Sequence, residues 1–140
     1  MSEESTTPDL VEMTRGGLQA GVGDLDTGMR FFSRSAVWEV PVLGASLAGP
    51  TAIRSFLEDW FAAFDQFEIK LEEILDLGNG VVFALARTDA LPLGGAGRAR
   101  LQEVFVYVVT WVDLKIARVT VYNDVDEARA AAERLAESRG

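Results

Sequence analysis

Arg87-Thr88-Asp89 sets an arginine and an aspartate two positions apart. On a strand that spacing sends both side chains to one face. An arginine beside an aspartate keeps the carboxylate ionised and orients it, which suits a base or a water-orienting group. Phe83 and Leu85 precede the pair on the same face, so the pair sits at the end of an apolar surface. The alternative is an ion pair at a pocket rim or on the surface. Glu103 shares the odd-numbered positions of its segment with Phe105, Tyr107 and Trp111. A carboxylate leading into an aromatic face can act as an acid–base group if it meets a cavity; otherwise a salt bridge to Arg87 or Arg100 accounts for it. The Tyr107 hydroxyl and the Asn123 amide can donate to a carbonyl or oxyanion in a dry pocket. Their structural alternatives are core filling for Tyr107 and a turn or helix cap for Asn123.

Other chemistry is excluded by composition. The chain has no cysteine and no histidine. It therefore lacks thiolate nucleophiles, disulfides, imidazole bases and His- or Cys-ligated metals. Thirteen basic against 22 acidic side chains give a net charge of −9. That balance disfavours nucleic acid and anionic membrane surfaces as partners. The first seven residues are polar and acidic, no run approaches a membrane-spanning length, and the expected location is the cytoplasm. With 140 residues, 49% hydrophobic and 25% charged, the chain matches one globular domain with a sizeable core. Residues 1–7 are expected to be disordered and 8–140 to form that domain.

The elements that must position these groups follow from periodicity. Helices are expected from Pro8 to about Ala20, capped by Thr7 and broken at Gly21-Val22-Gly23, and from Asp24 through Phe31-Phe32. Val37–Val40 reads as a short strand, followed by a loop to Gly49-Pro50. Ile53, Phe56, Leu57, Trp60, Phe61 and Phe64 form the clearest helical stripe in the chain. Phe67–Ile74 then alternates as a strand, and Gly78-Asn79-Gly80 is a turn. Strands follow over about 81–90, 98–112 and 115–123, and a C-terminal helix over 125–138 capped by Asp124. Gly94-Gly95-Ala96-Gly97 lacks the lysine and the strand-to-helix context of a phosphate loop and reads as a flexible hairpin. Helices followed by meandering strands make an α+β pattern: N-terminal helices packed on a curved, mostly antiparallel sheet, with a pocket expected at its open end.

The strand over 98–112 is apolar on both faces, so a second layer must cover its even-numbered side. Either the C-terminal helix or the sheet of a second copy, giving a homodimer, can do so. Trp38, Trp60, Phe64, Phe105 and Trp111 are the bulky side chains expected to line the pocket and stack on a flat or cyclic apolar ligand, with core packing as the alternative. Trp38 and Glu39 are adjacent on a strand, so one of the two faces inward.

Trp38-Glu39-Val40-Pro41, then Gly49-Pro50-Thr51-Ala52-Ile53-Arg54-Ser55-Phe56, Asp113-Leu114-Lys115-Ile116 and Tyr122-Asn123-Asp124 resemble, in order and spacing, the SnoaL-like branch of the nuclear transport factor two-like superfamily. The likeness covers about residues 8–132, with Leu114 where glycine is usual. It implies a cone-shaped α+β fold that hosts cyclases, isomerases, epoxide hydrolases, dehydratases and non-catalytic pockets. Arg87-x-Asp89 with the following Leu91-Pro92 resembles the Arg-x-Asp strand of limonene epoxide hydrolases. Val121 stands where those enzymes carry a second aspartate, and Val37 and Glu39 stand near their tyrosine and asparagine. The resemblance implies cofactor-free acid–base chemistry on a small apolar molecule, with Asp89 as base, Arg87 holding it, and Glu103 or Tyr107 as donor. The alternative is a non-catalytic ligand-binding or dimerisation module.

Overall fold

A computed structural model describes residues 9–94 and 100–140. The expectations for residues 1–7, Pro8, Gly95–Gly97 and Arg98 lie outside the described residues. The chain runs α1 (Leu10–Gly23), α2 (Leu25–Met29), β1 (Phe32–Val40), a 3-10 turn (Pro41–Leu43), β2 (Ala45–Ala48), α3 (Pro50–Ala62), β3 (Phe64–Gly78), β4 (Val81–Pro92), β5 (Leu101–Val112), β6 (Lys115–Tyr122) and α4 (Val125–Arg139). The strands form one sheet in the order β2-β1-β6-β5-β4-β3. Among the described residues only β1 and β6 pair in parallel. The architecture is the expected α+β one: helices on a mixed, mostly antiparallel sheet.

Local chemistry sets the element boundaries. Asp9 caps α1 by accepting from the Glu12 N–H at 3.2 Å. Asp24 caps α2 through the Thr27 N–H at 3.3 Å and the Thr27 hydroxyl at 2.6 Å. Asp124 caps α4 through the Glu127 N–H at 2.9 Å, the N-cap bond expected of an aspartate there. α1 continues through Gly21–Gly23 instead of breaking, because α2 packs on it there. A Cβ on Gly28 would lie 2.7 Å from the Gly21 Cα, so the two backbones meet directly. β1 begins at Phe32, five residues earlier than expected, and the expected loop after it contains β2. Phe64, expected to end the α3 stripe, is the first residue of β3.

Two tight turns fix the register of the meander. Asn79 and Gly80, at φ 57 and 82, join β3 to β4. A Cβ at Gly80 would lie 2.5 Å from the Trp111 carbonyl oxygen, so only glycine fits. Asp113 and Leu114, at φ 51 and 65, join β5 to β6. Bulges interrupt the β3–β4 ladder at three places and the β5–β6 ladder near Trp111, and such insertions bend the strands that carry them.

The two sheet faces are covered differently. Outside, α4 lays Ala128, Ala132 and Ala136 on Val81, Phe83, Val106 and Val108. The chain's own C-terminal helix thus covers the apolar even face of β5, the face that raised the expectation of a second copy. Inside, α1, α2 and α3 pack with Trp38, Val82, Val109, Trp111, Val119 and Val121. The helices do not fill that side.

Candidate ligand cavity

Between the helices and the inner face lies a cavity of about 330 Å³, lined almost entirely by apolar side chains. β5 supplies Glu103, Phe105, Tyr107 and Val109, β6 supplies Val119 and Val121, and β1 supplies Phe32, Trp38 and Val40. α3 presents Phe56, Leu57, Trp60 and Phe61, four members of its sequence stripe. The roof from α1 and α2 includes Gly17, Gly21 and Gly28, so part of it is bare backbone.

Polar groups in this wall are few. Tyr107 stands in its middle, its ring 6.3 Å from that of Trp38. No hydrogen bond to its hydroxyl is formed among the described residues. Burial pushes its pKa up to about 12, so at neutral pH the group donates and does not act as a base. The Trp38 indole N–H is buried without an acceptor. Thr14 is already engaged, accepting from the Trp111 indole N–H at 3.0 Å. Glu103 and Asn123 line the cavity but are exposed at its mouth. Glu103 and Tyr107 lie four positions apart on one strand face, roughly 13 Å at strand spacing, with Phe105 between them. Among the described residues no group of three His, Cys, Asp or Glu comes together to hold a metal ion.

The register settles which candidates meet. Thr88, not Arg87, pairs with Glu103; Ala86 pairs with Phe105 and Ala84 with Tyr107. The even-numbered residues of β4 therefore face inward, and Arg87 and Asp89 leave from the outer face. There Arg87 donates to Glu72 at 3.0 and 3.3 Å, which holds the Glu72 carboxyl below its ordinary range. Asp89 accepts from Arg100 at 2.7 Å. Neither lines the cavity, which corrects the expectation that this pair faces the pocket. Phe83 and Leu85 do precede the pair on its face, as read from sequence, but that apolar surface belongs to the α4 layer.

Of the aromatic candidates, Trp38, Trp60 and Phe105 line the cavity. Phe64 stacks on Trp60 and Phe67 at 5.4 Å, outside the lining. Trp111 is buried against Phe31, with ring centroids 6.3 Å apart, and anchors α1 through Thr14. Glu39 points outward, ion-paired with Arg118, so Trp38 is the inward member of that pair. Asn123 sits at the rim, while the helix cap is its neighbour Asp124. Sequence reasoning missed Val42, Leu43, Phe67 and the α1–α2 roof. The one available signal was the glycine content of α1, read there as a helix break.

No curated protein matches the chain by sequence. Solved structures match in fold. An NTF2-like protein of unknown function from Burkholderia pseudomallei K96243 superposes with a TM-score of 0.73 at 14% identity, covering 90% of this chain and 98% of that one. A protein provisionally named a SnoaL-like polyketide cyclase, from Jannaschia sp. CCS1, gives 0.73 at 13% identity, with 95% and 98% covered. A protein of ketosteroid isomerase-like fold from Catenulispora acidiphila DSM 44928, in complex with trimethylamine, gives 0.70 at 13%, with 91% and 94% covered. The model of the SnoaL-like domain matches residues 19–119. Sheet order, hollow inner face and this match together place the chain in the SnoaL-like domain family.

Proposed function

We propose that the cavity binds a small, flat, mostly apolar organic molecule that places a hydrogen-bond acceptor at Tyr107. The observation that carries this reading is the contrast within the wall. An apolar hollow of about 330 Å³ keeps one protonated hydroxyl and one unpartnered indole N–H, and its carboxylate stands only at the mouth. Pockets of this size with few convergent polar groups suit ligands oriented by one or two hydrogen bonds. An aromatic ketone satisfies the donors; an anion gains less, because the apolar wall removes its water.

A second reading, acid–base turnover, is favoured by Glu103 and Tyr107 sharing one face of β5. Glu103 would take a proton from the mouth end of a conjugated substrate. Charge would then move through the conjugated system onto an oxygen held by the Tyr107 hydroxyl. This mechanism needs neither cofactor nor the Arg87–Asp89 pair.

The test uses acetophenone as probe. Tyr107→Phe lowers its affinity about five- to tenfold, the loss of one hydrogen bond, with little change in melting temperature. Equal affinity in both proteins contradicts the orientation proposed. For turnover, deuterium exchange into a conjugated ketone is followed by NMR; catalysis predicts exchange that Glu103→Gln abolishes, and pure binding predicts none.

A further inference from the structure

We propose that the bound molecule is longer than the cavity and leaves it across a preformed apolar lip, Val42 and Leu43, which select for a ligand with an apolar extension. This inference rests on the ligand-chamber reading above. Both residues belong to the cavity wall, yet they are 61% and 62% exposed. A wall residue that only closed a chamber would be covered by the chain; these two continue the apolar lining onto the surface.

The lip is held in shape. Pro41 opens the 3-10 turn and fixes its first φ. Gly44 closes it at φ 66, donating its N–H to the Pro41 carbonyl at 2.9 Å. Two large apolar side chains are thus presented to water by a rigid turn. The adjoining part of the rim has the opposite character. It carries Asn123 at the end of β6 and Glu103 near the start of β5, both polar and exposed. A molecule emerging from the mouth meets an apolar surface on the β1 side and a polar one on the β5–β6 side. An alkyl or aryl extension follows the former. Covering most of the exposed surface of two such side chains is worth roughly tenfold or more in affinity.

The experiment compares acetophenone with its 4-ethyl, 4-butyl, 4-hexyl and 4-octyl homologues, with dissociation constants read by calorimetry. Wild-type, Val42→Ser/Leu43→Ser and Tyr107→Phe proteins are used. In wild type, affinity rises along the series. In the double variant the ratio of acetophenone to octyl dissociation constants shrinks by about tenfold, with the fold intact by circular dichroism. An unchanged ratio, while Tyr107→Phe still weakens every homologue, overturns the lip and leaves the chamber standing. Failure of every homologue to bind wild type overturns both. Sedimentation of wild type as a dimer and of the double variant as a monomer, with the ratio unchanged, also overturns the proposal and assigns the lip to contact between copies.

Discussion

The two faces of β5 are both apolar along much of the strand and have opposite fates. Val106 and Val108 on the outer side meet α4 through Ala128, Ala132 and Ala136. Alanines let the helix axis approach, so the helix lies directly on the valines and Phe83. On the inner side the facing helices present Phe56, Trp60, Phe61, Leu18 and Met29. Large groups hold the helices away, and the glycines of α1 and α2 leave part of the roof as backbone. Apolarity alone therefore does not tell core from chamber; the sizes of the opposing side chains do.

The largest expected effect breaks the closed side. Phe83 is fully buried under α4 with the Arg129 guanidinium 4.6 Å from its ring centre. Phe83→Ala should cost about 3–5 kcal/mol in denaturant unfolding. Val109→Ala, on the hollow side, should cost less than a typical buried truncation, because the space it opens joins one already there. A larger loss at Val109 would mean that the inner face is packed as tightly as the outer.

Titration sharpens the same contrast. Burial raises both tyrosines of the sheet above their ordinary range, Tyr107 to about 12, and Tyr122 with the help of Glu127 and Glu39. A raised folded-state pKa means that the folded protein holds its protons longer. Stability from this source is full below pH 10 and is lost as pH rises toward 12. Tyr107→Phe should flatten the fall in melting temperature over that window. An unaltered fall would place Tyr107 in contact with water.

Much of the architecture was legible in the sequence because local signals coincided with tertiary ones. The α3 stripe, the Asn79-Gly80 turn and the Asp24 and Asp124 caps all act within a few residues. Face assignment on β4 was not legible. Val82, Ala84, Ala86, Thr88 and Ala90 on one side and Val81, Phe83 and Leu85 on the other are both apolar, and only the ladder to β5 shows that the first set faces inward. Arg87 and Asp89 were misplaced for that reason. Tyr107 and Glu103 both line the cavity, on the one side of their strand that carries its aromatic residues.

Smaller effects follow from those two lessons. Leu114 occupies a left-handed position at φ 65 with its side chain 53% exposed. Leu114→Gly should stabilise the protein by about 1 kcal/mol, since the strain of a left-handed leucine disappears and little packing is lost. Destabilisation instead would show that Leu114 packs on something in solution. Asp89→Asn, in an exposed ion pair with Arg100, should change stability by no more than about 1 kcal/mol. It should leave acetophenone affinity unchanged. A loss of affinity there would reopen a role for the outer face.

The central claim is that the inner face, and not the outer, receives a ligand. Amide chemical-shift mapping during titration with acetophenone tests it directly. Perturbations should gather at Phe105, Tyr107, Val109, Val121 and the α1–α2 roof, saturate at one equivalent, and spare α4 and Arg87–Asp89. Shifts confined to the outer face, or none at saturating probe, would contradict it.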